Sequence, residues 1–528
     1  MDSAHRLTAR HLIFLAVVSL TFLIGAGAQG WRDAATFDEP VYLSSGVGAL
    51  LQHDVAVNSE HPPIFKALAA LPVLLAHPVP PDQHLSSDEH SYSAGFLQAQ
   101  EQAGKWVTIV RLGRIIPILE ALVCAWLILA IGGLLSSASA GTLAAALWLT
   151  APLVLGLGHL DGVDLPFALT TLLTCWALLR WWEQQTIKRT LVVGAAVGLT
   201  AAAQISGILL LAVAMIIVAR MSRSWRRAAG LGALVCLTSW LVLWASYLVI
   251  ALDTALHGQW LLPRPYLSGL HYLLTTDAIG TQGYLLGRLW TGGQWWFWPV
   301  SLLIKTAVTT TALIVLGLIG WRGAHKSGSE RIAWVIGLSI VALSLPLVFD
   351  PRDIGVRYLL PQFGLLTVVA GGVALLLGRV ARAAAVALAV GSLLLGWSSN
   401  PHSLAWATFP FEPAYRNVSN SSVDWGQDLG LLQRWAVGRH PFVSYFGPRG
   451  TGLGDIPGAS DLAMTAPQDI TGWVAVSATN LTSNMAGQLA WLRKYCPSSV
   501  LGGTILIYHF ESPPNAAPGP SRPPAPCD

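Results

Sequence analysis

The chain of 528 residues is 53% hydrophobic and only 11% charged, with positive mean hydropathy, a balance that excludes an ordinary soluble domain. Its formal net charge of +4 is small, and its basic residues gather in short loops. That distribution argues against a nucleic-acid surface and for a polytopic membrane protein.

Crossing about 30 Å of hydrocarbon as a helix takes roughly 17–25 apolar residues. Eleven such runs begin near Leu12, Gly113, Gly141, Val163, Thr190, Ser206, Ala228, Ser301, Ile332, Tyr358 and Ala381. The fifth and sixth are expected as two short helices with a tight turn, because the apolar stretch 191–218 is broken only around Gln204 and Ser206. With the N terminus cytoplasmic, the clusters Arg6/Arg10, Arg180/Lys188/Arg189, Arg220/Arg223/Arg226/Arg227, Arg322/Lys326/Arg331 and Arg379/Arg382 all fall on that side, as the positive-inside rule requires. The odd number of spans puts the C-terminal portion outside. For the first run, ending in GAGAQ, a cleavable signal peptide is the alternative, and cleavage would leave the following loop on the same side.

Three large regions are expected outside, at 30–112, at 253–299 and after about 398. The first contains 63–76, apolar but too short to span, which reads as an interfacial amphipathic helix. The second ends in GGQWWFWPV, the composition of an interfacial aromatic belt. Beyond 398 the long apolar runs give way to alternation, as in WVAVSAT and TILIYHF, which predicts a small α/β domain over 398–511. The last 17 residues hold seven prolines and read as a disordered tail over 512–528. The expected architecture is therefore an all-α polytopic membrane bundle over 1–397 with a small extracytoplasmic α/β domain. Cys124, Cys175 and Cys236 lie in apolar runs as packing residues, while Cys496 and Cys527 lie outside, where a disulfide is permitted and their pairing is left open.

Candidate chemistry concentrates on the outer ends of the spans. Asp38 and Glu39 follow the first run, Glu60 stands in NSEHPPIFK, and Asp161 and Asp164 open the fourth run in HLDGVD. Taken singly, each acid reads equally well as a helix cap. Together they share one side with Lys66, Arg111, Arg114, Lys305, Arg352 and Arg357, cations that at an interface otherwise snorkel or bind lipid head groups. Carboxylates and phosphate-binding cations around one cleft suit transfer of a group from a lipid phosphate to a hydroxyl, with one acid as general base. The chain has no P-loop, HExxH, CxxC or GxSxG motif, and His53, His61, His77, His84 and His90 are not spaced as a metal site.

The segments FDEPVYLSSG, NSEHPPIFKALAALP and GHLDGVDLPFALTTLL, in that order, resemble the GT-C membrane glycosyltransferases of family 39, the relatives of dolichyl-phosphate-mannose protein mannosyltransferases. GGQWWFWPVSLLIKTAV, DIGVRYLLPQF and SSVDWGQDLGLLQRW resemble segments of uncharacterised bacterial members. The resemblance implies an enzyme that takes a sugar from a polyprenyl-phosphate donor and passes it, with inversion, to an acceptor hydroxyl at the outer face. It makes Asp38 the expected base, Glu39 a positioning group or alternative base, and Asp164 a further catalytic acid. Lys66, Arg357 and Lys305 become candidates for the lipid phosphate. His159, Asp161, Glu60 and His61 become candidates for substrate contacts. No cofactor is expected, and a divalent metal is left open. Gln204 and Tyr358 depart from the family pattern, where a lysine and a histidine are expected, and there is no MIR-type insert. Two readings from other classes stay open at this point, a transporter or flippase of a lipid-linked substrate and a non-catalytic envelope assembly subunit.

Overall fold

A computed structural model describes residues 7–252, 261–275, 280–322, 330–376 and 378–527. Arg6, Lys326 and part of the loop expected over 253–299 lie outside the described residues. Among them, six helices are long and apolar enough to cross a membrane, namely Ala9–Arg32, Trp106–Leu135, Trp225–Leu248, Ile332–Phe349, Val356–Leu375 and Arg379–Ser398. A seventh is counted if Phe297–Lys305 and Val308–Arg322, bent by 115° at their junction, form one span. The other four expected runs are also helical. Asp164–Glu183 is less apolar, and Ala138–Thr150, Ile187–Ala203 and Leu209–Met221 are shorter. The break in 191–218 falls where the sequence put it, with Gln204 and a short turn of tighter helix, Ile205–Ile208, between two helices.

The loop after the first helix is itself helical. Glu39–Gln52 starts with Pro40 in its first turn and stops at His53, whose φ of 56° ends the helix in the left-handed region. The interfacial segment at 63–76 resolves into an α-helix, Pro63–Ala70, and a tighter turn, Pro72–Ala76. These two helices pack backbone to backbone. A Cβ placed on Gly46 would lie 2.3 Å from the Lys66 carbonyl oxygen, so the SSG of the first motif permits this close approach.

The C-terminal region carries five strands, β3 (Phe442–Ser444), β4 (Ser460–Asp461), β5 (Gly472–Ser477), β6 (Ser499–Leu501) and β7 (Ile505–Phe510). An earlier hairpin, β1 (Gln282–Leu285) with β2 (Arg288–Thr291), stands apart from them. The sheet order is β4-β3-β5-β7-β6, with β3 parallel to both neighbours and β7 antiparallel to both of its own. Alternation sorts its faces. Val474, Val476 and Leu506 join an apolar core that continues into the bundle through Trp148, Leu172 and Phe363, whereas Ala475, Ile505 and Ile507 pack under helix Leu429–Ala436.

Two expectations are corrected here. The proline-rich end is pinned rather than disordered. Tyr415 Oη donates to the Pro524 carbonyl at 2.9 Å, Arg416 Nε to Pro523 at 2.9 Å, and the Gly519 N–H to Ala490 at 2.8 Å. A Cys496–Cys527 disulfide closes the segment. Proline lacks a donor but keeps its carbonyl, which these partners use. Nor is GGQWWFWPV wholly a belt. Trp295 is exposed, but Trp298 is buried with its ring edge-on to Tyr358, 5.9 Å between centroids. With the cysteines 31 positions apart, Cys496→Ser is expected to cost about 3–4 kcal/mol by the chain-entropy relation. The check is a lower melting temperature that reductant reproduces in the unaltered protein.

Candidate active site

The end of the bundle that carries the C-terminal region also gathers the acids. The Ala34 and Phe37 N–H groups donate to the carbonyls of Gln427 and Trp425, both at 2.9 Å, and Phe37 stacks on Phe446 at 5.1 Å. The loop after the first helix is thereby docked on the C-terminal region. Beside this loop lies a cavity of about 520 Å³. Its lining includes the polar side chains Asp38, Tyr42, Glu60, His61, Gln204, Arg357 and Tyr358 and the apolar Leu273, Leu274, Leu347 and Phe349.

Asp38 and Glu39 are adjacent and do different things. Asp38 occupies the N-cap position of helix Glu39–Gln52 but makes no side-chain cap bond. Its carboxylate, 19% exposed, instead meets Arg357 Nη1 at 2.8 Å, and Tyr42 Oη donates to it at 3.4 Å. Glu39 is wholly buried. Arg114 grips it from two nitrogens, Nε to Oε1 and Nη2 to Oε2, both at 2.7 Å. The Thr36 N–H at 2.7 Å, the Thr36 hydroxyl at 3.2 Å and the Asp161 N–H at 3.1 Å complete its shell. The same guanidinium donates to the carbonyls of Gly30, Asp33 and Ala34. Glu39 therefore fixes the elbow that presents Asp38, and its oxygens are too occupied to serve as an alternative base.

Arg357 is the hub. Beyond Asp38 it reaches Asp164 Oδ2 at 3.7 Å, donates to Tyr358 Oη at 3.2 Å and lies over the Trp425 ring, 4.4 Å from its centroid. Its Nε is buried without a hydrogen-bond partner. Asp164, in the first turn of helix Asp164–Glu183, thus touches the site through Arg357. Glu60 and His61 face the cavity from the NSEHPP turn, and the His61 Nδ1 is buried and unpartnered. Burial, then the nearby Lys66 cation, holds the His61 imidazole well below its usual pKa.

Four sequence candidates are placed elsewhere. Lys66 Nζ donates to the carbonyls of Val57 and Asn58 and to Asn58 Oδ1, so it clamps the turn that carries Glu60 and His61. Lys305, at the break between two helices, donates to the carbonyls of Leu404 and Trp406. His159 sits buried between Asp33 Oδ2 at 3.2 Å and the Leu155 carbonyl at 3.0 Å. Asp161 lies behind the cavity in a small crevice with Asp164, its Oδ2 unpartnered, and burial followed by the Glu39 carboxylate raises its pKa well above the usual range. Among the described residues no group of three or more His, Cys, Asp or Glu is placed to hold a metal ion.

Three contributors escaped the sequence reading. Tyr42 follows Asp38 by one helical turn, a spacing that could have signalled it. Trp425 lies in the quoted VDWGQD segment but carried no assigned role. Arg114 was noted as a cation without a partner.

Lys66 offers a pH test of its clamp. Burial lowers its pKa to about 7, so the folded protein gives up a proton there that the unfolded chain keeps to the ordinary lysine range. Stability should therefore rise with pH above about 7, by at most about 1.4 kcal/mol per pH unit. Lys66→Met should flatten that rise, read as unfolding free energy in detergent across the window.

Residues 110–261 match the family model described as dolichyl-phosphate-mannose-protein mannosyltransferase. No curated protein matches in sequence. Among solved structures, ArnT from Cupriavidus metallidurans in the apo state is 13% identical, with 74% of this chain and 66% of that one covered and a TM-score of 0.49. ArnT bound to undecaprenyl phosphate gives 13%, 74% and 72%, and 0.48. The oligosaccharyltransferase AglB from Archaeoglobus fulgidus, with an inhibitory peptide and a dolichol-phosphate, gives 11%, 95% and 74%, and 0.44. The chain spans just under two thirds of the length of the first of these. The family match over 110–261 bears out the kinship read from the motifs, and the chain is similar to the GT-C membrane glycosyltransferases of family 39.

Proposed function

We propose that the protein transfers a sugar from a polyprenyl-phosphate donor to an acceptor hydroxyl, with inversion, at the extracytoplasmic face of the membrane, its N terminus being cytoplasmic. The observation that carries this reading is the Asp38–Arg357 pair at 2.8 Å in the wall of a cavity lined by both polar and apolar side chains. The family match over 110–261 and the solved relatives named with undecaprenyl phosphate and dolichol-phosphate support the donor class.

In this mechanism the apolar wall takes the first part of the prenyl chain. The acceptor hydroxyl lies against Asp38, which removes its proton as the oxygen bonds to the anomeric carbon. The bond from that carbon to the phosphate oxygen breaks on the opposite face, so configuration inverts. The electron pair leaves with the phosphate, and the buried, unpartnered Arg357 Nε supplies a donor for the developing charge. Trp425 and Tyr358 hold the guanidinium plane while Asp164 keeps it oriented. The reaction as written needs no cofactor.

Lipid extracts of cells lacking the protein are expected to accumulate a polyprenyl-phosphate sugar. Unchanged lipids with unchanged glycans would favour the assembly-subunit reading instead. Arg357→Lys keeps the charge but loses Nε–H and the planar stack. It is expected to lower kcat about 100-fold, measured as initial rate at saturating donor.

A further inference from the structure

In the C-terminal sheet the chain leaves β3 for β4 on one side and returns to β5 on the other, all three parallel. A parallel sheet that reverses in this way opens a crevice beyond the carboxyl ends of its strands, where α/β sheets bind ligands. Here that crevice holds about 250 Å³. Ser444 ends β3, Asp461 ends β4, and Asn480 and Asn484 follow β5, and all four line it.

These groups form a chain of donors and acceptors. Asn484 Nδ2 donates to Asn480 Oδ1 at 3.0 Å, and Asn480 Nδ2 donates to Ser444 Oγ at 3.0 Å. Asp461 uses Oδ1 for the Ala463 N–H at 2.8 Å, which leaves Oδ2 to accept from a ligand. Tyr445, whose hydroxyl is tied to the Gly426 carbonyl at 2.5 Å, and Leu453 add an apolar wall, and Thr451 a further hydroxyl. None of the described residues lining the crevice is Lys or Arg. One carboxylate without a cation disfavours a phosphate or carboxylate ligand. Carboxamides and a carboxylate that accept and donate at close spacing, beside an aromatic face, suit the vicinal hydroxyls and C–H face of a neutral sugar.

A short path of residues links the crevice to the reaction cavity. Tyr445 lines it, and the next residue, Phe446, stacks on Phe37, which lines the cavity that holds Asp38. We propose that this crevice is a saccharide subsite that takes one sugar ring of the acceptor, so that the acceptor is a glycan. This rests on the glycosyl-transfer reading for the word acceptor, while the binding itself does not.

The test uses the full chain in lipid nanodiscs and saturation-transfer NMR with methyl α-mannopyranoside, methyl β-glucopyranoside and methyl α-arabinofuranoside. At least one is expected to bind with Kd on the order of 1–10 mM. Asp461→Asn and Asn484→Ala should each weaken that binding about tenfold, with Thr451→Ala as a milder variant should either fail to fold. Asp38→Asn should leave it unchanged. No binding of any of the three glycosides to the unaltered protein, or binding that survives all the crevice substitutions, would overturn the proposal. Absence of sugar transfer by the unaltered protein, with normal crevice binding, would instead sink the glycosyl-transfer reading and leave the saccharide site in place.

Discussion

Asp38→Asn is expected to lower kcat for sugar transfer by about 10²–10⁴-fold with little change in donor KM. The substitution keeps the side chain's shape and removes its ability to take a proton. It should leave the fold intact, because Asp38 contributes no side-chain cap to helix Glu39–Gln52 and Arg357 retains Asp164 at 3.7 Å and the Trp425 ring. The measurement is the initial rate with a labelled polyprenyl-phosphate sugar in membranes, alongside a melting curve of the purified variant. A wild-type rate would remove Asp38 from the base role. A rate loss matched by a collapse in melting temperature would make it structural.

The second large effect lies one residue further on. Arg114→Met should destabilise the protein by about 3–5 kcal/mol, because it strands a buried carboxylate. Glu39 would keep only the Thr36 and Asp161 donors in a wholly buried place, and three carbonyls would lose their partner. Glu39→Met alone strands the guanidinium in the same way. The double variant is expected to lose less than the sum of the two singles, since no unpaired charge remains. Denaturation in detergent monitored by fluorescence would show it, and strict additivity would mean that the two side chains do not depend on each other.

Much of the site was legible because span ends set the side of the membrane on which each charge falls. Asp38, Asp164 and Arg357 come from segments far apart in sequence, yet topology alone placed them at one end of the bundle, where they meet. What topology could not give was direction. Neighbouring residues on a helix point about 100° apart, as the 3.6-residue turn dictates, so which of Asp38 and Glu39 faces the cavity depends on a helix phase set by the Arg114 clamp. Lys66 turns inward because Asn58, with φ of 52°, curls the chain so that its carbonyl and side-chain oxygen converge on Nζ. Lys305 is drawn away by the 115° break after it, which has neither proline nor glycine to announce it. The tail was misread because composition reports what a segment can do alone, not what the carbonyls of Pro523 and Pro524 can do beside Arg416 and Tyr415.

The Trp425 ring beneath Arg357 has a bearing on how such a chain can evolve. Because Trp425 of the C-terminal region packs on the guanidinium that meets Asp38, exchanging or trimming this region would disturb the site as the loss of a tethered recognition module would not. Any graft of this region from another protein must keep the indole in register with the guanidinium.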